Sequence, residues 1–131
     1  MVISIIGLLA SIVLVSLNSA RISARDSRRL SDMQQITLAM EMYYANNSSV
    51  YPAGTSAQIE TALKNANLIG ALPHDPVSTT IYTMFANGTA TNYCFYQVLE
   101  KVSTQYAVAS DRGAGKRSSI PTALNVCEPN L

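Results

Sequence analysis

Apolar residues crowd the first twenty positions of the chain and are spaced apart after them. From Met1 to Ala20 there is no charged side chain, and Ser4, Gly7, Ala10, Ser11 and Ser16 are the only small or polar residues before Leu17. Such a stretch predicts a helix that is apolar on every side. At about 1.5 Å per residue its strongest run reaches about 25 Å, slightly less than the hydrocarbon core of a bilayer. From Arg21 the pattern becomes a stripe: Leu30, Met33, Thr37, Met40 and Tyr44 recur at helical spacing, widened by Ile36 and Tyr43. Arg28 and Arg29 stand four and three residues before Asp32, which reads as a charged face turned to solvent. No proline precedes Pro52, and only Gly7 disfavours the helix, by about 1 kcal/mol relative to alanine. The pattern therefore predicts one unbroken helix over residues 1–46, ending near Asn46 and Asn47. Residues 1–20 would be its hydrophobic part. Residues 21–46 would pack on a head formed by 47–131, through Leu30, Met33, Ile36, Met40, Tyr43 and Tyr44.

The head alternates short signals of both kinds. "AGTSAQIETALKNANLIG" suits a short helix capped by Thr55 or Ser56, with Ile59, Leu63 and Leu68 inward and Gly70 as its stop. "ALPHDPVSTT" is a connection punctuated by Pro73 and Pro76. Three strand-like runs follow, at 81–86, 92–100 and 104–110, the first two separated by a turn in which Asn87 and Gly88 can adopt positive φ. An antiparallel meander is the economical arrangement. Residues 111–131 have two glycines, two prolines and no clean period, and read as a long loop. The expected class is α+β, a long N-terminal helix against a small antiparallel sheet of about three to four strands.

Charge and chemistry narrow the function further. Nine basic and eight acidic residues leave a net charge of +1, so no global field recruits nucleic acid or an anionic surface. Arg21, Arg25 and Arg28 share a helical face that could meet phosphate groups. A solvated row, or one facing carboxylates of a neighbouring subunit, is the commoner outcome, so nucleic acid as a partner stays unsupported. The two cysteines, Cys94 and Cys127, allow one bridge or two free thiols. A bridge would close a loop of about 34 residues, contribute roughly 3.5 to 4 kcal/mol in the chain-entropy account and place the head in an oxidising compartment.

Reactive groups are sparse. The one histidine, His74, sits in a turn between Pro73 and Asp75, where a solvated ring is the ordinary state. Asp75, Glu100, Asp111 and Glu128 form no paired-carboxylate spacing, and "DRGAGKRS" lacks the spacing of a phosphate-binding loop. Calcium at Asp75 or Asp111 would need a clustering of oxygens that the sequence does not display. Asn47 and Asn87 lie in glycosylation sequons, a weak signal alone. The reading is a protein that is not an enzyme and has neither a cofactor nor a metal.

"VISIIGLLASIVLVSLNSAR" followed by "ARDSRRLSDMQQITLAMEMYY" closely resembles the N-terminal helix of type IV pilins and of the pseudopilins of type II secretion. "LPHDP", the tyrosine-rich strands, "VLE" and "YAVASDRGAG" resemble the head of that family. The resemblance implies a pilin-like fold and a subunit of a helical homopolymer. A prepilin peptidase would cut a basic leader and methylate the new terminus, and an assembly ATPase would drive extraction from the inner membrane. In the family a glutamate follows the cut closely; no residue here receives that role. The match begins inside the family's usual mature start, which implies a chain shortened at its N-terminus. About seven further apolar residues would extend the span to roughly 36 Å, enough to cross. A basic leader would also outweigh Arg21, Arg25, Arg28 and Arg29, which otherwise argue for a cytoplasmic head.

By that resemblance Val2, Ile3, Ile5, Ile6, Leu8, Leu9, Ile12, Val13, Leu14, Val15 and Leu17 would form the filament core, and Gly7 would be the point of helix flexibility. Many pilins carry a helix-loosening proline about eight residues after that glycine, where this chain has Val15. The leading expectation is a pilin of a surface filament serving adhesion, twitching motility or DNA uptake. A periplasmic pseudopilin is the alternative within the class. A monomeric membrane-anchored binding domain, using the tyrosine-rich strands and the 111–120 segment, is the alternative outside it.

Overall fold

The computed structural model describes residues 2–85, 89–122 and 127–130. Helix α1 (Val2–Asn46) is followed by α2 (Ser56–Asn65) and four strands: β1 (Thr83–Met84), β2 (Cys94–Val98), β3 (Tyr106–Ser110) and β4 (Gly113–Arg117). The strands form one antiparallel sheet in the order β1-β2-β3-β4. The class is thus α+β, with a long N-terminal helix and a four-stranded antiparallel sheet.

Helix α1 is continuous because nothing in it opposes helix except Gly7. It ends where Ser48 and Ser49 take positive φ, 57° and 60°. The Asn47 side chain donates to the Tyr43 carbonyl at 2.9 Å, and the Ser49 amide to the Tyr44 carbonyl at 3.1 Å, which partners groups that the helix end would leave bare. Helix α2 starts in a reciprocal cap: Gln58 N–H donates to Thr55 Oγ1, and Thr55 N–H donates to Gln58 Oε1 at 2.8 Å. Its end is not at Gly70. The Ala66 amide closes on Ala62, and Asn67 takes the left-handed conformation (φ 55°) that glycine was expected to supply.

Only the upper part of α1 packs on the sheet, chiefly against β3 and β4. Met33, Ile36 and Met40 are fully buried there, with Leu30, Tyr43 and Tyr44 half-buried around them. Ile59 and Leu63 enter the same core from α2, Tyr93 and Phe95 from the β2 side, and Ala107 and Ala109 from β3. Small residues on β3 let the helix lie close to the sheet. The alternate β3 position, Val108, is buried on the opposite face with Cys94 and Cys127, which are disulfide-bonded with Cα atoms 5.8 Å apart. Covered on both faces, β3 carries little polar alternation.

Residues 111–131 are not one long loop. Asp111 and Arg112 form a two-residue turn, Gly113 has φ 117°, and Gly113–Arg117 pairs along the whole of β3. The tail then crosses β4, Asn130 N–H donating to the Lys116 carbonyl at 2.8 Å. A Cβ at Gly115 would lie 2.7 Å from Pro129 Cβ, so this crossing requires glycine. The first strand is shorter than expected: Ile81 makes only an isolated bridge with His74, and pairing with β2 is limited to Thr83 and Met84. Asn87 and Gly88, expected to turn that hairpin, lie outside the described residues.

Candidate functional site

Among the described residues, no side chain in the apolar part of α1 is covered by the rest of the chain. Val2, Ile3, Ile5, Ile6, Leu8, Leu9, Ile12, Val13, Leu14 and Leu17 are each at least 43% exposed; the side chain of Val15 is not among those described. This is a helix long and apolar enough to cross a membrane, with a most apolar window of mean hydropathy 2.2 and no residue of that window buried. Its nineteen residues from Val2 to Ala20 span about 28 Å. Covering ten such side chains would release on the order of 15 to 30 kcal/mol in gross terms, before the entropy of association is subtracted. An apolar surface of this extent marks a membrane or protein contact. The polar interruptions are tolerated: Ser11 Oγ donates to the Gly7 carbonyl at 2.9 Å within the helix. Apart from the adjacent residues and the helix's own nearby backbone, no heavy atom among the described residues lies within 4 Å of where a Cβ on Gly7 would stand.

A buried ionic joint lies just above this bare segment. Arg29, 3% exposed, donates from Nε to Asp75 at 2.6 Å and from a terminal nitrogen to Asp26 at 2.9 Å, and that nitrogen lies 2.8 Å from a Glu100 oxygen. Arg25 Nε donates to the same Glu100 carboxylate at 2.9 Å. Asp26 also accepts the backbone N–H groups of Glu100 and Lys101, both at 2.9 Å. Asp75 accepts those of Val77 and Ser78 at 2.8 and 2.9 Å. One turn higher, the Tyr82 hydroxyl donates to Asp32 at 2.6 Å. Helix α1 is thereby bolted to the β2–β3 turn and to the 73–80 connection.

The electrostatics follow from this geometry. Burial acts to raise the Asp75 pKa, but Arg29 and the two backbone donors outweigh it and hold the carboxyl at about 2. Asp26 is lowered in the same way, burial being outweighed by the amides of Glu100 and Lys101 and by Arg29. Glu100 is lowered mainly by its hydrogen bond with Arg25. The Tyr82 hydroxyl is pushed up by burial and by the Asp32 carboxylate that it donates to.

These positions correct two expectations. The stretch around Arg28, Arg29 and Asp32 is not a solvent face: Arg29 and Asp32 are buried, and only Arg28 is exposed. Nor do Arg21, Arg25 and Arg28 form a free row, since Arg25 is committed to Glu100. The sequence did hold a signal. Asp26 and Arg29 fall on the same helical stripe as Met33, Ile36 and Met40, at intervals of three and four residues.

The tyrosines lie mostly inward: Tyr51, Tyr82 and Tyr93 are buried, and Tyr43, Tyr44, Tyr96 and Tyr106 are half-buried. Tyr44, Tyr51, Tyr93 and Phe95 stack in series, with ring centroids 4.6, 5.0 and 6.4 Å apart, as part of the core. Segment 111–120 is mostly the β3–β4 hairpin, so "DRGAGKRS" is a turn and strand and not a cradle for phosphate. His74 is exposed, and no group of three metal-ligating side chains occurs among the described residues. No family model, curated protein or solved structure matches this chain.

Proposed function

We propose that this chain is the structural subunit of a helical, type IV pilin-like filament, in which residues 1–20 form the core and the α+β head forms the surface. The observation that carries the reading is the rigidity of the joint. A bare apolar helix continues without linker or proline into a helix locked to the head by Arg29, Asp26 and Asp75. A simple anchor needs no such stiffness, because a flexible tether holds a domain at a membrane equally well. A stiff joint makes the position of each bare helix dictate the position of its head, which is what a regular polymer requires. Head-to-tail contacts that do not close into a ring then grow as an open fibre.

Before assembly the bare segment resides in a membrane. Within lipid the apolar gain largely vanishes, because acyl chains are as apolar as leucine. Leaving the bilayer therefore takes work, a role that the pilin resemblance gives to an assembly ATPase at the inner membrane. The proposed site of action is the cell surface, with adhesion, motility or DNA uptake as the use of the fibre.

The decisive experiment compares the wild-type chain with Ile5→Asp and Leu9→Asp in the native host. Sheared surface material viewed by electron microscopy is expected to hold fibres of the wild-type chain and none of either variant, while the heads keep their disulfide. Fibres at wild-type yield from either variant would sink the proposal.

A further inference from the structure

A cleft of about 170 Å³ lies where the head meets α1, its polar lining made by Ser23, Asp26 and Ser27 on the helix, Lys101 and Gln105 on the β2–β3 turn and Lys116 on β4, the remaining third of its lining residues being apolar. Lys101 and Lys116 are exposed, and neither takes part in an ion pair among the described residues. The one carboxylate at the cleft, Asp26, is already occupied. One oxygen accepts from Arg29 and the Glu100 amide, and the other from the Lys101 amide. Two lysines with no ion-pair partner among the described residues, two serines and a glutamine therefore border a recess whose own acid is paired. That is a set of donors suited to an anion.

The height of the cleft identifies the anion. The uncharged part of α1 ends at Ala20, and Ser23 to Ser27 lie about 4 to 11 Å further along the axis. With residues 2–20 in the hydrocarbon core, Ser23 stands within the lipid headgroup layer, which occupies roughly 5 to 8 Å on each side of that core, and Asp26 and Ser27 stand at its outer edge. The β2–β3 turn is at the same level, since its amides bind Asp26.

We propose that this cleft seats the phosphate of an anionic phospholipid while the subunit waits in the membrane, with Lys101 and Lys116 as its cationic walls. The site rests on the membrane-resident state described under Proposed function. It gives that state a defined orientation: the head is held down on the bilayer by its lower edge. Lipid recognition by lysines at this depth is electrostatic and is expected to weaken with salt.

The test uses the full-length chain in nanodiscs containing phosphatidylcholine and phosphatidylglycerol in equal amounts. Native mass spectrometry then reads which lipids stay bound on release. The wild-type chain should retain phosphatidylglycerol preferentially, and Lys101→Gln and Lys116→Gln should each reduce that preference by on the order of fivefold. Lys64→Gln, on α2 and paired with Glu60, should leave it unchanged. Both cleft lysines are exposed and make no ion pair among the described residues, so their variants are expected to keep the fold. Equal retention of the two lipids, or a preference indifferent to both lysines, overturns the site while leaving the anchor intact. A chain that does not enter the discs overturns the anchor and the site together. Inorganic phosphate at millimolar level, if it displaces phosphatidylglycerol in full, would mark a free-anion site and overturn the lipid assignment.

Discussion

Leu14 and Met33 are aliphatic residues of one helix, yet Leu14 is 67% exposed and Met33 is fully buried. Around Leu14 every side of the helix is apolar and, among the described residues, none is covered; around Met33 one side is apolar and it is covered, fully at Met33, Ile36 and Met40 and partly at Leu30, Tyr43 and Tyr44. The upper half obeys the rule for a helix on a globular domain, a stripe that matches a sheet face. In the lower half there is no stripe to match, and among the described residues nothing of the chain covers it. Under the proposed function its partner is a bilayer before assembly and other copies after it. Between the halves, buried charge does the joining. Arg29 and its carboxylates align the helix to two loops at once, whereas apolar contacts would tolerate sliding or rotation.

The largest effect is expected from breaking that joint. Arg29→Ala leaves Asp26 and Asp75 buried with backbone donors but no counter-charge, a loss of about 3 to 5 kcal/mol. Urea unfolding of the full chain in detergent, followed by near-ultraviolet circular dichroism, should show a large fall in midpoint. Leu14→Ala, in the bare half, should shift the head midpoint by less than about 0.5 kcal/mol. Equal losses from the two substitutions would erase the distinction drawn between the halves.

Acid probes the same joint more gently. The Asp75 carboxyl is held at about 2, below its ordinary value of 3.8, so the folded head favours the ionised form. Its contribution is complete above about pH 4 and is lost as the pH falls through about 2, on the order of 2 kcal/mol in all. Asp26 and Glu100 are displaced in the same direction and add to the loss. Urea midpoints measured between pH 5 and pH 2 should therefore decline, steepening below pH 4. A flat profile would mean that these carboxylates are not ion-paired in solution.

Much of the architecture was readable from periodicity, and what escaped it has identifiable reasons. The extent of α1, the Thr55 cap of α2 and the positions of β2 and β3 follow from spacing and local chemistry. Strand β4 escaped because Gly113-Ala-Gly-Lys-Arg has no apolar alternation. It is made by pairing with β3 and by the close crossing of Pro129 over Gly115. The ionic joint escaped because charge suggests exposure by default, and the partners of Arg29 stand at Asp75 and Glu100, far along the chain. No local rule links such positions. Only the continuation of the buried stripe through Asp26 and Arg29 hinted at it. The cleft beside Lys101 and Lys116 was likewise invisible, since it exists only once the turn and β4 meet α1.

The smallest expected effect concerns Gly7, and it separates helix propensity from packing. Glycine in an exposed helix interior is about 1 kcal/mol less favourable than alanine, because it loses more backbone freedom on ordering. Beyond the adjacent residues and the helix's own nearby backbone, nothing among the described residues lies within 4 Å of the missing Cβ, so Gly7→Ala introduces no clash with them. In detergent, amide exchange around residues 5–11 should slow by about fivefold, as 1 kcal/mol dictates, while the unfolding midpoint of the head stays put. The two readouts must part company, because α1 transmits geometry through the joint but shares no core between its halves. A head that gained stability along with the lower helix would show that the two halves melt as one unit, and the division at Ala20 would then have to be abandoned.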